Sequence, residues 1–60
     1  MKIHHIGYLT SDIHKTSKEF FFLNLKKGKV IIDKKFCVDI CFLKGKNLII
    51  ELIRPHKKNY

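Results

Sequence analysis

Two apolar stretches near opposite ends of the chain each carry one side chain suited to chemistry. Ile3-His4-His5-Ile6-Gly7-Tyr8-Leu9 holds His5, and Leu48-Ile49-Ile50-Glu51-Leu52-Ile53 holds Glu51. An imidazole and a carboxylate together can bind a divalent metal ion or move a proton. A carboxylate set among aliphatic residues is costly to bury unless something pairs with it. What Glu51 meets is therefore the first question. The plain alternatives are a strand histidine bonded to backbone or water, and a carboxylate paired with Arg54 or Lys2.

The elements that position these two residues follow from pattern. Residues 3–10 read as a strand, rich in Ile, Tyr, Leu and Thr and closed by polar Ser11-Asp12. Alternation puts Ile3, His5, Gly7 and Leu9 on one face and His4, Ile6, Tyr8 and Thr10 on the other. Residues 12–23 read as a helix, with Ser11 or Thr10 as cap and Asp12 at its positive end. Ile13, Ser17, Phe20, Phe21 and Asn24 follow helical spacing, and Asn24 suits a left-handed stop. Phe22 and Leu23 widen the apolar face toward a second buried contact.

Three further strands are expected, at 29–33, 36–43 and 48–53, with Pro55 ending the last. In the strand 36–43, the bulky set Phe36, Val38, Ile40 and Phe42 suits packing against the helix. Cys37, Asp39, Cys41 and Leu43 then share the opposite face with His5 and Glu51. In the strand 48–53, Ile49, Glu51 and Ile53 lie opposite Leu48, Ile50 and Leu52. The expected fold is α+β: one βαβββ module over 1–55, a mixed four-stranded sheet with one helix on one face, and a frayed tail at 56–60. The second face is too apolar for water and too polar for an ordinary core, which fits a cleft or an enclosing interface.

Composition bounds the rest. Sixty residues make one small domain with a marginal core, and folds of this size lean on disulfides, metals or oligomerisation. No apolar run reaches the roughly 20 residues that cross a bilayer, and the start lacks the apolar region of a signal peptide. A cytoplasmic protein is expected. Cys37 and Cys41 supply half a zinc site at most and read as reduced, small apolar residues. The net charge of +8 raises nucleic-acid binding. The lysines are scattered over turns and the outer helix face, however, and Arg54 is the only arginine, so nucleic acid is not the expected partner.

The chain resembles one module of the vicinal oxygen chelate superfamily, which includes glyoxalase I, methylmalonyl-CoA epimerase, bleomycin-resistance proteins and extradiol dioxygenases. The resemblance rests on His4-His5-Ile6-Gly7-Tyr8, on Asp12-Ile13, on Phe20 and Leu23, and on Ile50-Glu51-Leu52-Ile53-Arg54-Pro55. Each motif is short, and their order and spacing carry the likeness over nearly the whole chain. The epimerase and glyoxalase branch is nearest.

The resemblance implies that His5 and Glu51 are metal ligands on neighbouring strands. It also implies that a second module, or a second copy in a homodimer, supplies the other ligands. The divalent ion would be nickel, cobalt, manganese, iron or zinc. As a Lewis acid it would stabilise an enediolate of a small-molecule substrate, with Glu51 as the catalytic base, giving an epimerase, isomerase or lyase. Asp39, facing the cleft, would stand behind the ligands as a hydrogen-bonding partner or simply be exposed, while His14 and His56 would be solvated. The resemblance departs at the helix end, Phe20-Phe21-Phe22-Leu23-Asn24, where relatives usually carry a polar residue or two and then glycine, for which Asn24 can stand in. The alternative is a non-catalytic small-molecule-binding module, or an inactive truncated relative.

Overall fold

The computed structural model describes residues 2–57. Strand β1 (His4–Leu9) leads into helix α1 (Ile13–Glu19) and a 3-10 turn at Phe21–Leu23. Strands β2 (Lys26–Lys27), β3 (Ile31–Asp33), β4 (Val38–Lys44) and β5 (Leu48–Pro55) follow. The sheet runs β1-β5-β4-β2, and β3 also pairs with β4. Among the described residues only the β1–β5 ladder is parallel; the other pairings are antiparallel. The fold is α+β, a mixed sheet with one α-helix.

The sheet has five strands rather than four because a short strand, β2, forms ahead of the one expected at 29–33, which is itself shortened to Ile31–Asp33. β2 pairs with Leu43 and Lys44, and β3 pairs with Val38, Asp39 and Ile40. The segment between leaves the ladder, although the Gly28 amide still donates to the Phe42 carbonyl at 2.9 Å. β4 begins two residues later than expected. Asp33 Oδ1 accepts from the Lys35 and Phe36 amides at 3.0 and 3.1 Å, the self-bonding that makes aspartate a turn former. Cys37 then adopts φ 54°, so Phe36 and Cys37 lie in a turn and not in the strand. β5 continues through Pro55, which faces Val38 at the last rung. A proline there costs at most one terminal donor.

Asp12 caps α1, with its side chain accepting from the Lys15 amide at 3.0 Å. Thr10 Oγ1 supports it by accepting from the Asp12 amide at 3.1 Å. The helix is shorter than expected, and Asn24 stops the following turn in the left-handed region at φ 56°. Its inner face is Ile13, Thr16, Ser17 and Phe20; Phe21 and Phe22 are each 79% exposed, so Phe21 does not join it. A seven-residue helix depends on its cap and its packing for existence. Asp12→Ala should cost about 1 kcal/mol of folding stability, read as a lower urea midpoint with an unchanged slope.

The core holds Ile13, Cys41, Leu43, Ile50 and Leu52, with Phe20, Leu25 and Leu48 packed against it. Here the expected facing of β4 is reversed. Cys41 and Leu43 lie under the helix, while Ile40 and Phe42 turn to the face of Glu51. The register decides this, because Phe42 stands opposite Glu51 and Cys41 opposite Leu52. A small cysteine beside Leu52 leaves room for the helix; Phe42 in that place would not. Both cysteines are free, Cys41 buried and Cys37 exposed. Among the described residues no helix is long and apolar enough to cross a membrane. Of the tail expected at 56–60, residues 58–60 lie outside the described residues. His56 is held, its amide donating to the Cys37 carbonyl at 2.9 Å.

Candidate functional site

The parallel β1–β5 ladder sets His5 beside Ile49 and Gly7 beside Glu51. His5 and Glu51 thus share the face away from α1, two residues apart along the strand direction. His5 leans along the ladder and places Nε2 3.0 Å from Glu51 Oε1. Gly7 has no side chain to stand between them, and on its other flank Glu51 faces Phe42. The Phe42 ring centroid lies 6.2 Å from that of His5. Side-chain exposure is 53% for His5 and 23% for Glu51, so the pair is reachable from solvent.

The surroundings are apolar. Ile31, Ile40, Ile53 and Leu9 form one continuous row across four strands, and none of them is buried among the described residues. The next row is Phe42, Glu51 and Gly7, and the one after it is Lys44, Ile49 and His5. A hydrogen-bonded imidazole–carboxylate pair therefore sits within an uncovered aliphatic face, the kind of surface that marks an interaction site.

Two ligand atoms bound side by side at about 2.1 Å from one ion stand about 3 Å apart. The His5–Glu51 separation of 3.0 Å fits that spacing. The nitrogen and oxygen donors also suit the first-row divalent ions. No group of three or more His, Cys, Asp or Glu side chains converges among the described residues. The pair thus offers two ligands, and a full coordination shell needs donors from elsewhere.

Asp39 does not belong to this site. It lies on the helix side of β4, opposite Arg54 in the register. Asp39 Oδ2 accepts from Arg54 Nη2 at 2.7 Å and from Nε at 3.1 Å, and Oδ1 meets His56 Nε2 at 2.7 Å. His56 is accordingly bonded rather than solvated. Arg54 is engaged with Asp39 on the opposite face from Glu51. His14 is exposed and accepts from Lys27 Nζ at 3.3 Å. The Asp39–Arg54–His56 cluster escapes a sequence reading because it depends on register. Its one signal is a carboxylate and a guanidinium at matching parity in two strands of a hairpin.

The hydrogen bond with His56, then those from Arg54, hold the Asp39 carboxyl below its ordinary value, against the opposing effect of partial desolvation. A carboxylate depressed in the folded state stabilises the fold above its unfolded pKa of about 3.9. That contribution is lost as pH falls through the lower, folded value. Acid unfolding of the wild-type chain should therefore steepen below about pH 4, and Asp39→Asn should flatten that limb. Thermal midpoints measured between about pH 6 and pH 2 check this.

No protein-family model matches the chain, and no curated protein matches its sequence. Function must be argued from the residues and their geometry.

Proposed function

We propose that the chain is a half-site module of a vicinal-oxygen-chelate-type metalloprotein, with a βαβββ glyoxalase-like fold whose second strand is interrupted. His5 and Glu51 are its metal ligands, and a second copy or a second such module completes the coordination shell. The observation that carries this reading is the 3.0 Å approach of His5 Nε2 to Glu51 Oε1 on an uncovered apolar face. The chain order supports it as well, since β1 and β5 are parallel neighbours.

When bound, a divalent ion supplies Lewis acidity to a substrate carrying neighbouring oxygens. The chain's own residues do the rest. His5 and Glu51 hold two positions, and the flank left open by Gly7 gives access to Glu51. Once a second module covers this face, Ile40, Phe42 and Ile53 would help exclude water around the pair, which would strengthen the charge interactions there. Glu51 also serves as the base that takes a proton from the carbon beside a carbonyl. The reactions within reach are epimerisation, isomerisation or a glyoxalase-like lyase step.

Solution mass and metal content test the reading together. The expected result is a dimer, or a complex with a second module, holding about one divalent ion per pair of half-sites. A metal-free monomer after dialysis against nickel, cobalt, manganese, iron or zinc overturns it. Should a dimer form that takes up no ion yet still binds small molecules on the apolar face, the non-catalytic alternative replaces it.

A further inference from the structure

A groove of about 510 Å³ opens at the β2 edge of the sheet, lined by Lys26, Lys27, Lys29 and Lys44 with Ile31 and Phe42. Its size falls within the range of small-molecule sites. Four lysines line it and no carboxylate does, and the ammonium of one of them, Lys27, turns to His14 on the helix side. Four of the five acidic residues are occupied elsewhere. Asp12 caps α1, Asp33 closes a turn, Asp39 holds Arg54 and His56, and Glu51 meets His5. Among the described residues, no lysine takes part in an ion pair.

Lys26 and Lys44 stand directly opposite each other in the antiparallel ladder. Like charges in that position destabilise a sheet. A dianion between them would turn the repulsion into attraction, and lysine is a common point-charge partner for phosphate. Lys44 Nζ lies 5.6 Å from the Phe42 ring centroid. Phe42 in turn faces Glu51 and neighbours the His5 ring, so the groove adjoins the candidate site through one shared side chain.

We propose that this groove is an anion subsite for the phosphate-bearing end of a small organic ligand. The ligand's apolar part lies on Ile31 and Phe42 and leads toward Glu51. The anion subsite stands on the groove alone; the connection to Glu51 rests on the metal-site reading above.

The test titrates phenyl phosphate, inorganic phosphate and a single-stranded oligonucleotide into the full chain. Binding is followed at the backbone amides of Lys26, Gly28 and Lys44 by NMR. Phenyl phosphate should bind tighter than inorganic phosphate, and both should weaken as salt rises from about 50 to about 300 mM. Lys26→Gln with Lys44→Gln should weaken phenyl phosphate by about tenfold or more and leave ion content unchanged. Ile31→Ala, at a half-exposed position, should narrow the gap between phenyl and inorganic phosphate.

Lys34→Gln with Lys35→Gln removes the same charge from the distant hairpin turn and should have little effect. An equal loss in that control, or no amide response to phenyl phosphate at about 10 mM, overturns the proposal. So does an oligonucleotide that binds about a hundredfold tighter at the same amides. Retained phosphate binding in a chain that takes up no ion supports the groove and removes only its link to Glu51.

Discussion

Paired chains carrying His5→Ala should hold a divalent ion at least about a hundredfold more weakly than the wild type. Losing even an outer-shell partner of a metal ligand costs about ten- to a hundredfold, and His5 is proposed as a direct ligand present in both copies. Glu51→Gln should fall between wild type and His5→Ala. Its amide keeps an oxygen donor and still accepts from His5, but the negative charge is gone. His4→Ala is the internal control, since His4 alternates to the other face and is exposed. Neither test variant should unfold the chain, because a partly exposed His–Glu pair contributes only about 0–1 kcal/mol to stability. Isothermal titration of metal, with circular dichroism on the same samples, separates lost ligation from lost fold. Equal ion uptake by wild type, His5→Ala and Glu51→Gln would defeat the metal-site reading.

Leu52→Ala should leave the chain largely unfolded at 25 °C. Leu52 is fully buried in the central strand β5, next to Cys41 and beneath α1. A Leu→Ala change in a core costs about 2–5 kcal/mol. The whole stability of a domain below about 70 residues is commonly no more than about 3–5 kcal/mol. One cavity therefore consumes most or all of it. Leu52→Met, which nearly conserves volume, should cost less than about 1.5 kcal/mol and remain folded. Urea melts monitored by circular dichroism distinguish the two. A cooperative Leu52→Ala transition at the wild-type midpoint would mean that the core lies elsewhere.

The legible parts of this fold are those where one physical constraint acts alone. β5 alternates Glu51 with Ile50 and Leu52, so the charge itself tells the faces apart, and the buried pair is the apolar one. In β1 the same alternation separates His5 from Tyr8, and Tyr8 does reach the helix end, edge-to-face with Phe20 at 5.4 Å. β4 is different. Both of its faces are largely apolar, and size alone favours turning Phe42 inward. The register with β5 overrides size, because the helix needs a small residue beneath it and Cys41 provides one. Asp39 follows Cys41 to the helix side and so leaves the candidate site. The extension of the turn ahead of β4 through Phe36 and Cys37 was hidden for a similar reason. Phe36 and Cys37 look like strand residues, but Asp33 captures the amides of Lys35 and Phe36, and Cys37 follows in a left-handed conformation. The exposure of Phe21 and Phe22 has no account in the fold.

The adjacency of β1 and β5 also governs how the chain can come to be. Among the described residues, β1 has no other ladder partner, and its rungs join residues such as Ile6 and Ile50 that stand far apart in sequence. Contacts of such long separation slow folding, because loop-closure entropy must be met before the contact contributes anything. During synthesis, β1 leaves the ribosome well before its partner β5. Until β5 emerges, the backbone of β1 from His4 to Leu9 stays without its ladder partner, which is a window for mispairing with another chain. Changes that hasten closure of the β4–β5 hairpin would shorten the later part of that window without altering any native contact of β1.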